Sequence, residues 1–274
     1  MQPALERPPA HPIVVRKMDF DFSNLDRHWM AGNRTFTHAL NGLHLLFPMG
    51  ERFFIRSVKH YLPAIQDPAL KSRVSAFFGQ EARHGLEHEA AFAALEAQGL
   101  EIQSFLDRYR KVCWGVLEPI APPILRLSTT VALEHFTAVM AHRSLTTGEL
   151  DVAQPVMQDL LRWHACEEIE HKSVAFDVFT AVGGRWPVRV LGAVIALGLL
   201  MPIWYLAARH LLRQEDISRE ELKADREEAR RLGGDRRYLI GALLDYIRRD
   251  FHPDDTDDYH LAAEWLASAG RLER

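Results

Sequence analysis

The stretch RWHACEEIEHKSVAF, residues 162–176, sets two histidines and three glutamates within eight positions of an otherwise apolar segment. On a helix each residue advances about 100°, so with His164 at zero His171 falls at about −20°, Glu168 at about +40° and Glu167 at about −60°. Those four share a face with Leu160, Ala175 and Val178, whereas Glu170 lies off it and reads as solvated or as a support for the others. Carboxylates and imidazoles inside an apolar stripe need partners or a cation, because an unpaired buried charge is costly. Oxygen and imidazole donors together suit iron or manganese and tolerate zinc.

A second face of this kind lies in FFGQEARHGLEHEA, where Glu81, His84 and His88 line up with Phe77 and Leu95. Upstream of each pair stands a lone glutamate on an apolar face. Glu51 continues through Ile55, Val58 and Leu62, and Glu134 aligns with Leu127, Thr130, Ala138 and Ala141. The order is therefore Glu, Glu-x-x-His, Glu, Glu-x-x-His on four helices, which is the ligand set of ferritin-like dimetal carboxylate proteins. His88, one turn beyond His84, reads as an eighth ligand, as a support for the ligands or as a core histidine bonded to a carbonyl, with the last two ranked first. Glu167 is the best partner for the second N–H of a ligating histidine. His135, about 100° from Glu134, reads as a packed or exposed histidine.

Helices must position these side chains. Apolar residues recur at helical spacing almost throughout and alternating β-branched runs are missing, so the chain is expected to be all-α. Helices are predicted over about 23–46, 48–62, 68–98, 101–118, 124–147, 155–183, 187–213, 218–233, 236–250 and 257–269, with Gly99, Gly148 and the pair Gly183-Gly184 as terminators. The division is an irregular segment over 1–22, one helical domain over 23–250 and a short C-terminal helix within 251–274. Within the domain, the dimetal core spans 51–183 and a long apolar helix spans 187–213. The acidic pairs Asp254-Asp255 and Asp257-Asp258 read as a solvated helix start.

Composition narrows the function. With 274 residues, 47% of them hydrophobic, a substantial core can form. A net charge of −4 gives no reason to expect nucleic acid as a partner. Cys113 and Cys166 form no CxxC pattern and read as buried thiols in a reducing compartment. The Pro-rich start lacks an apolar secretory core, so a cytoplasmic protein is expected. The segment 190–208, VLGAVIALGLLMPIWYLAA, carries no charge over 19 residues and is flanked by Arg185, Arg189, Arg209 and Arg213. It is long enough for membrane contact and equally suits a buried helix.

The wording FPMGERFF, QEARH, LEHFTA and WHACEEIEHKSVAFDV resembles the bacterial family of predicted metal-dependent hydrolases, over about residues 12–250. The added histidine in His164-xxx-Glu168-xx-His171 is similar to the motif of di-iron arylamine N-oxygenases. Together these resemblances imply Glu51, Glu81, His84, Glu134, His164, Glu168 and His171 as ligands of two metal ions. Iron is the first expectation, with manganese or zinc as alternatives. Two chemistries follow. The expectation ranked first is a non-haem di-iron oxidoreductase that activates O2 with an electron donor on a small hydrophobic substrate. The alternative is a hydrolase that uses a metal-acidified water, and metal storage or a structural site ranks third. Phe53, Phe54, Phe77, Phe78, Phe136 and Phe176 are expected to line an apolar pocket or to form core. Homo-oligomerisation stays open.

Overall fold

The computed structural model describes residues 11–233 and 237–272, and among them there is no strand, only an isolated bridge between Met30 and Ala153. The protein is all-α. Residues 11–22 carry no regular structure, and the first ten residues of the expected irregular segment lie outside the described residues. The first helix, α1 (Arg34–His44), starts eleven residues later than the periodicity suggests. Ala31 and Gly32 both take positive φ, which stops a helix from running through them. Asn33 then caps α1, its side chain accepting from the Phe36 amide.

Helix α2 (Phe47–Lys59) has Pro48 in its first turn, and α3 (Pro68–Ala97) is capped by Asp67. Gly99, at a φ of 84°, ends that helix as predicted. The expected helix over 101–118 is composite: α4 (Gln103–Tyr109), a π-helical stretch over Arg110–Leu117, and α5 (Glu118–Ile120). Helix α6 (Pro123–Thr146) follows the proline cluster. The single helix expected over 155–183 is two, α7 (Pro155–His171) and α8 (Val174–Ala181). The chain turns between them at Lys172, whose ammonium is drawn to Asp258 and the Thr256 carbonyl. Asp258 is thus buried in an ion pair, contrary to the expectation of a solvated position.

The long apolar segment forms α9 (Trp186–Leu212), with Pro202 inside it. Helix α10 (Arg219–Leu232) opens on the Ser218/Glu221 capping box, and α11 (Arg237–Tyr246) and α12 (Tyr259–Ser268) complete the chain. Gly234, expected to close α10 with Gly233, lies outside the described residues.

Two packing relations position the site. Helix α2 packs on α3 and α6, and α7 packs on the same two helices, so the four that carry the glutamates and histidines surround one interior. Helix α9 lies against α1 and α6 through small residues. A Cβ on Gly42 would stand 2.7 Å from the Ala208 nitrogen, and one on Gly192 would stand 2.0 Å from Ser128 Oγ. Only glycine permits these approaches. The buried side of α9 is Gly192, Ala193, Ala196, Ala207 and Leu211 with Arg189, while only 22% of its most apolar window is buried. The segment is therefore no wholly buried core helix.

Candidate metal centre

Each predicted residue lies on a buried helix face. Glu51 comes from α2, Glu81, His84 and His88 from α3, Glu134 from α6, and His164, Glu167, Glu168 and His171 from α7, and all are buried. The structure brings them into one cluster. His171 Nε2 stands 3.2 Å from Glu81 Oε1, 3.3 Å from Glu134 Oε2 and 3.5 Å from Glu168 Oε2. On the other side of Glu168, His164 Nε2 lies 2.7 Å and His84 Nδ1 3.7 Å from Oε1, and Glu51 Oε1 lies 4.0 Å from His164 Nε2. Donor atoms of Glu51, Glu81 and His84, and of Glu81, Glu168 and His171, come within 4.8 Å of one another, as do those of His84, His164 and Glu168. Space is tight around Glu51. A Cβ on Gly85 would sit 3.1 Å from Glu51 Oε2.

The interior atoms of this cluster lack partners. Both carboxylate oxygens of Glu51, Glu81 and Glu134, Glu168 Oε2, His84 Nδ1 and His171 Nε2 are buried without a hydrogen bond. Native interiors rarely leave such groups unsatisfied, and several facing one another are suited to hold a cation. The electrostatics agree. Burial, reinforced by the charge of neighbouring carboxylates, pushes Glu51 and Glu81 well above the usual carboxylate range, and burial raises Glu134 to about 7. Glu168 alone is held low, against its burial, by His171 and His164. Divalent cations among these groups would restore the ionised carboxylates.

The outward nitrogens are, by contrast, fully engaged. His84 Nε2 donates to Glu167 Oε2 at 3.1 Å, which leaves its Nδ1 lone pair facing the cluster. His171 Nδ1 donates to Gln80 Oε1 at 2.9 Å, which leaves Nε2 for the interior. These partners are themselves fixed. Gln80 Nε2 donates to Glu170 Oε2 and the Val14 carbonyl, while Glu167 Oε1 accepts from Trp163 Nε1 and Arg16. Arg16 also forms a two-pronged pair with Glu170. Glu170, part-buried, is thus tied into the support of the site.

Sequence reasoning missed Arg16, Gln80 and His44. Arg16 lies in the irregular segment, 151 residues from Glu167, where no periodicity places it. Truncating it leaves the buried Glu167 and the part-buried Glu170 without their cation. Arg16→Ala is therefore expected to cost about 3 kcal/mol or more in urea unfolding, and an unchanged midpoint would show that the pair contributes nothing.

A chain of histidines leaves the cluster on the α1 side. His164 Nδ1 meets His88 Nε2 at 2.8 Å, and His88 Nδ1 meets His44 Nδ1 at 2.8 Å. His88 thus bonds to two imidazoles and to no carbonyl. Burial holds it and His44 well below the usual histidine range, His44 at about 3, so both stay neutral. His44, His164 and Glu168 also line a cavity of about 510 Å³ whose other walls come mainly from α1, α6, α9 and α11. Of the six phenylalanines expected around a pocket only Phe136 lines this one. Phe53, Phe54, Phe77 and Phe176 are core, with Phe78 packed against it. His135 is core as well, donating to the Ala242 carbonyl at 3.0 Å. Both cysteines are buried free thiols.

Fold and site together define an all-α protein built around a buried cluster of glutamates and histidines suited to holding metal ions. The chain belongs to the family described as predicted metal-dependent hydrolase, whose model matches residues 14–257. No curated protein and no solved structure matches it significantly.

Proposed function

We propose that Glu51, Glu81, His84, Glu134, His164, Glu168 and His171 hold two divalent metal ions, and that the protein hydrolyses a largely apolar substrate bound in the adjoining cavity. The observation that carries this reading is the double membership of His164 and Glu168, which belong to the cluster and to the cavity wall. Four carboxylates balance two divalent charges, so the buried centre would be near neutral. Bound there, the ions would supply Lewis acidity toward a carbonyl or phosphoryl oxygen and acidify water. The family description supports hydrolysis over the oxidative chemistry ranked first from the residues.

The chain's own groups do the rest. Glu167 and Gln80 fix the tautomers of His84 and His171, and the apolar cavity excludes bulk water from the bound substrate. The chain His164–His88–His44 has two fully bonded tautomeric settings. With His164 Nε2 on a metal ion only one of them remains, in which His164 Nδ1 would donate to His88 Nε2 and His88 Nδ1 to His44 Nδ1, so the chain would orient His164 as a ligand. His88 supports the centre in this reading and is no eighth ligand.

Oxidation is the second reading. It is favoured by Glu and Glu-x-x-His occurring twice over four helices packed around one interior, the ferritin-like di-iron and di-manganese pattern. One experiment separates the two. Metal-stripped protein is reloaded with zinc, manganese or anaerobic ferrous iron and given p-nitrophenyl esters of increasing acyl length, with oxygen consumption recorded in parallel. Ester cleavage that returns with metal and rises with acyl length supports hydrolysis. Oxygen consumption confined to the iron-loaded protein, with no cleavage under any metal, would replace hydrolysis by oxidation.

A further inference from the structure

We propose that the exposed faces of α9 and α11 rest on an anionic lipid bilayer, and that the cavity beneath them takes one apolar chain of a lipid from it. This rests on the hydrolytic reading only for what is then done to the bound chain.

Helix α9 exposes Val194, Met201 and Leu206, and α11 exposes Ile240 and Leu244. These large apolar side chains stand on two of the helices that wall one cavity. Met201 and Ile240 are both exposed and both line the cavity, which places its mouth on this patch. From that mouth to His44, His164 and Glu168 the wall is mostly apolar, with Thr137, Ser144 and the ion-paired Arg143 and Glu149 also in it. A chain entering there would leave water and end beside the cluster. A volume of about 510 Å³ is that of a small-ligand pocket, and the mostly apolar lining suits an acyl-type chain.

Charge selects the surface that covers this face. Helix α9 contains no acidic residue, and Arg185, Arg209 and Arg213 stand exposed at its two ends. Trp186 and Tyr205 are also exposed, the residue types that settle at a membrane–water boundary. On the α11 side, the exposed Asp245 and Asp250 are both close to Arg248. A second copy docked symmetrically on α9 would bring arginine against arginine whichever way the helices ran. Anionic headgroups would instead meet those arginines while acyl chains met the apolar residues. The helix lies on the bilayer and does not cross it, because one side is fastened to α1 and α6 and carries the buried Arg189.

The test is sedimentation of the full chain with phosphatidylcholine vesicles, with and without phosphatidylglycerol. Expected is binding to the phosphatidylglycerol vesicles that weakens with salt and falls about tenfold or more in the Val194→Asp/Leu206→Asp double variant. Both positions are exposed, so the variant keeps its circular dichroism spectrum. Glu81→Ala binds vesicles as the wild type does, so failure of the metal reading leaves this result standing, and the converse holds. Pyrene-labelled phosphatidylglycerol is expected to transfer to the wild type and not to Met140→Trp, which narrows the cavity. Wild-type protein that ignores vesicles, binds both kinds equally, or self-associates through this face in place of binding overturns the proposal. So does a wild type that takes up no labelled lipid.

Discussion

Glu81→Ala and His171→Ala proteins are each expected to retain one metal ion where the wild type retains two. His171 Nε2 lies within 3.5 Å of Glu81, Glu134 and Glu168, so either substitution opens the same half of the cluster. The stability of the two forms should move in opposite directions. Metal-free Glu81→Ala loses a carboxyl whose ionisation is opposed by burial and by Glu134, and is expected to be at least as stable as the metal-free wild type. With metal present the order reverses, since the wild type gains about 2.7 kcal/mol per site at a hundredfold excess over Kd. For a chain of this size that is a rise of about 5–10 °C in Tm per site. A cluster of ordinary core ion pairs would behave otherwise, with Glu81→Ala destabilised whether or not metal was added.

The protection that metal gives is expected to grow as pH rises from 5 to 8. Glu51, Glu81 and Glu134 have folded pKa values above their unfolded ones, Glu134 at about 7. The metal-free native state therefore holds protons more tightly than the unfolded chain. Its stability from these groups is fully present below the usual carboxylate range and is lost as pH climbs through the raised values. His171, held above the usual histidine range by Glu168 and Glu134 despite its burial, adds to the same trend. Glu168 is depressed, so its contribution is lost only as pH falls below the carboxylate range. Ligands must shed protons to bind a cation, which makes occupancy itself stronger at high pH. Thermal melts with and without metal across that range check the prediction. A metal-induced shift in Tm that is flat or shrinks with pH would contradict it.

The centre was legible because its residues obey one period. Glu81 and His84, and Glu168 and His171, are one turn apart on helices whose remaining stripe is apolar, and burial follows from that stripe. What supports them has no such rule. Gln80 sits about 100° from Glu81 and reads as peripheral, yet it reaches His171 on another helix because α3 and α7 pack together. Arg16 depends on an irregular strand of chain folding back over α7, which only tertiary contact determines. His44 did carry a signal: it closes the last turn of α1 on that helix's buried side, near Phe36 and Leu43. Its importance comes from His88, one turn beyond His84, which extends the line of imidazoles. Helix boundaries failed where local chemistry overrode periodicity, at Ala31-Gly32 before α1 and at Lys172 between α7 and α8.

Hydrolysis and oxidation alike require that the cluster hold metal. The most direct measurement is the metal content of the purified full-length protein, stripped by chelator and reloaded, determined by plasma mass spectrometry against protein concentration. Two ions per chain, retained through gel filtration and restored on reloading, is the predicted result. Protein that binds none of iron, manganese or zinc after reloading, while keeping its fold, would contradict it.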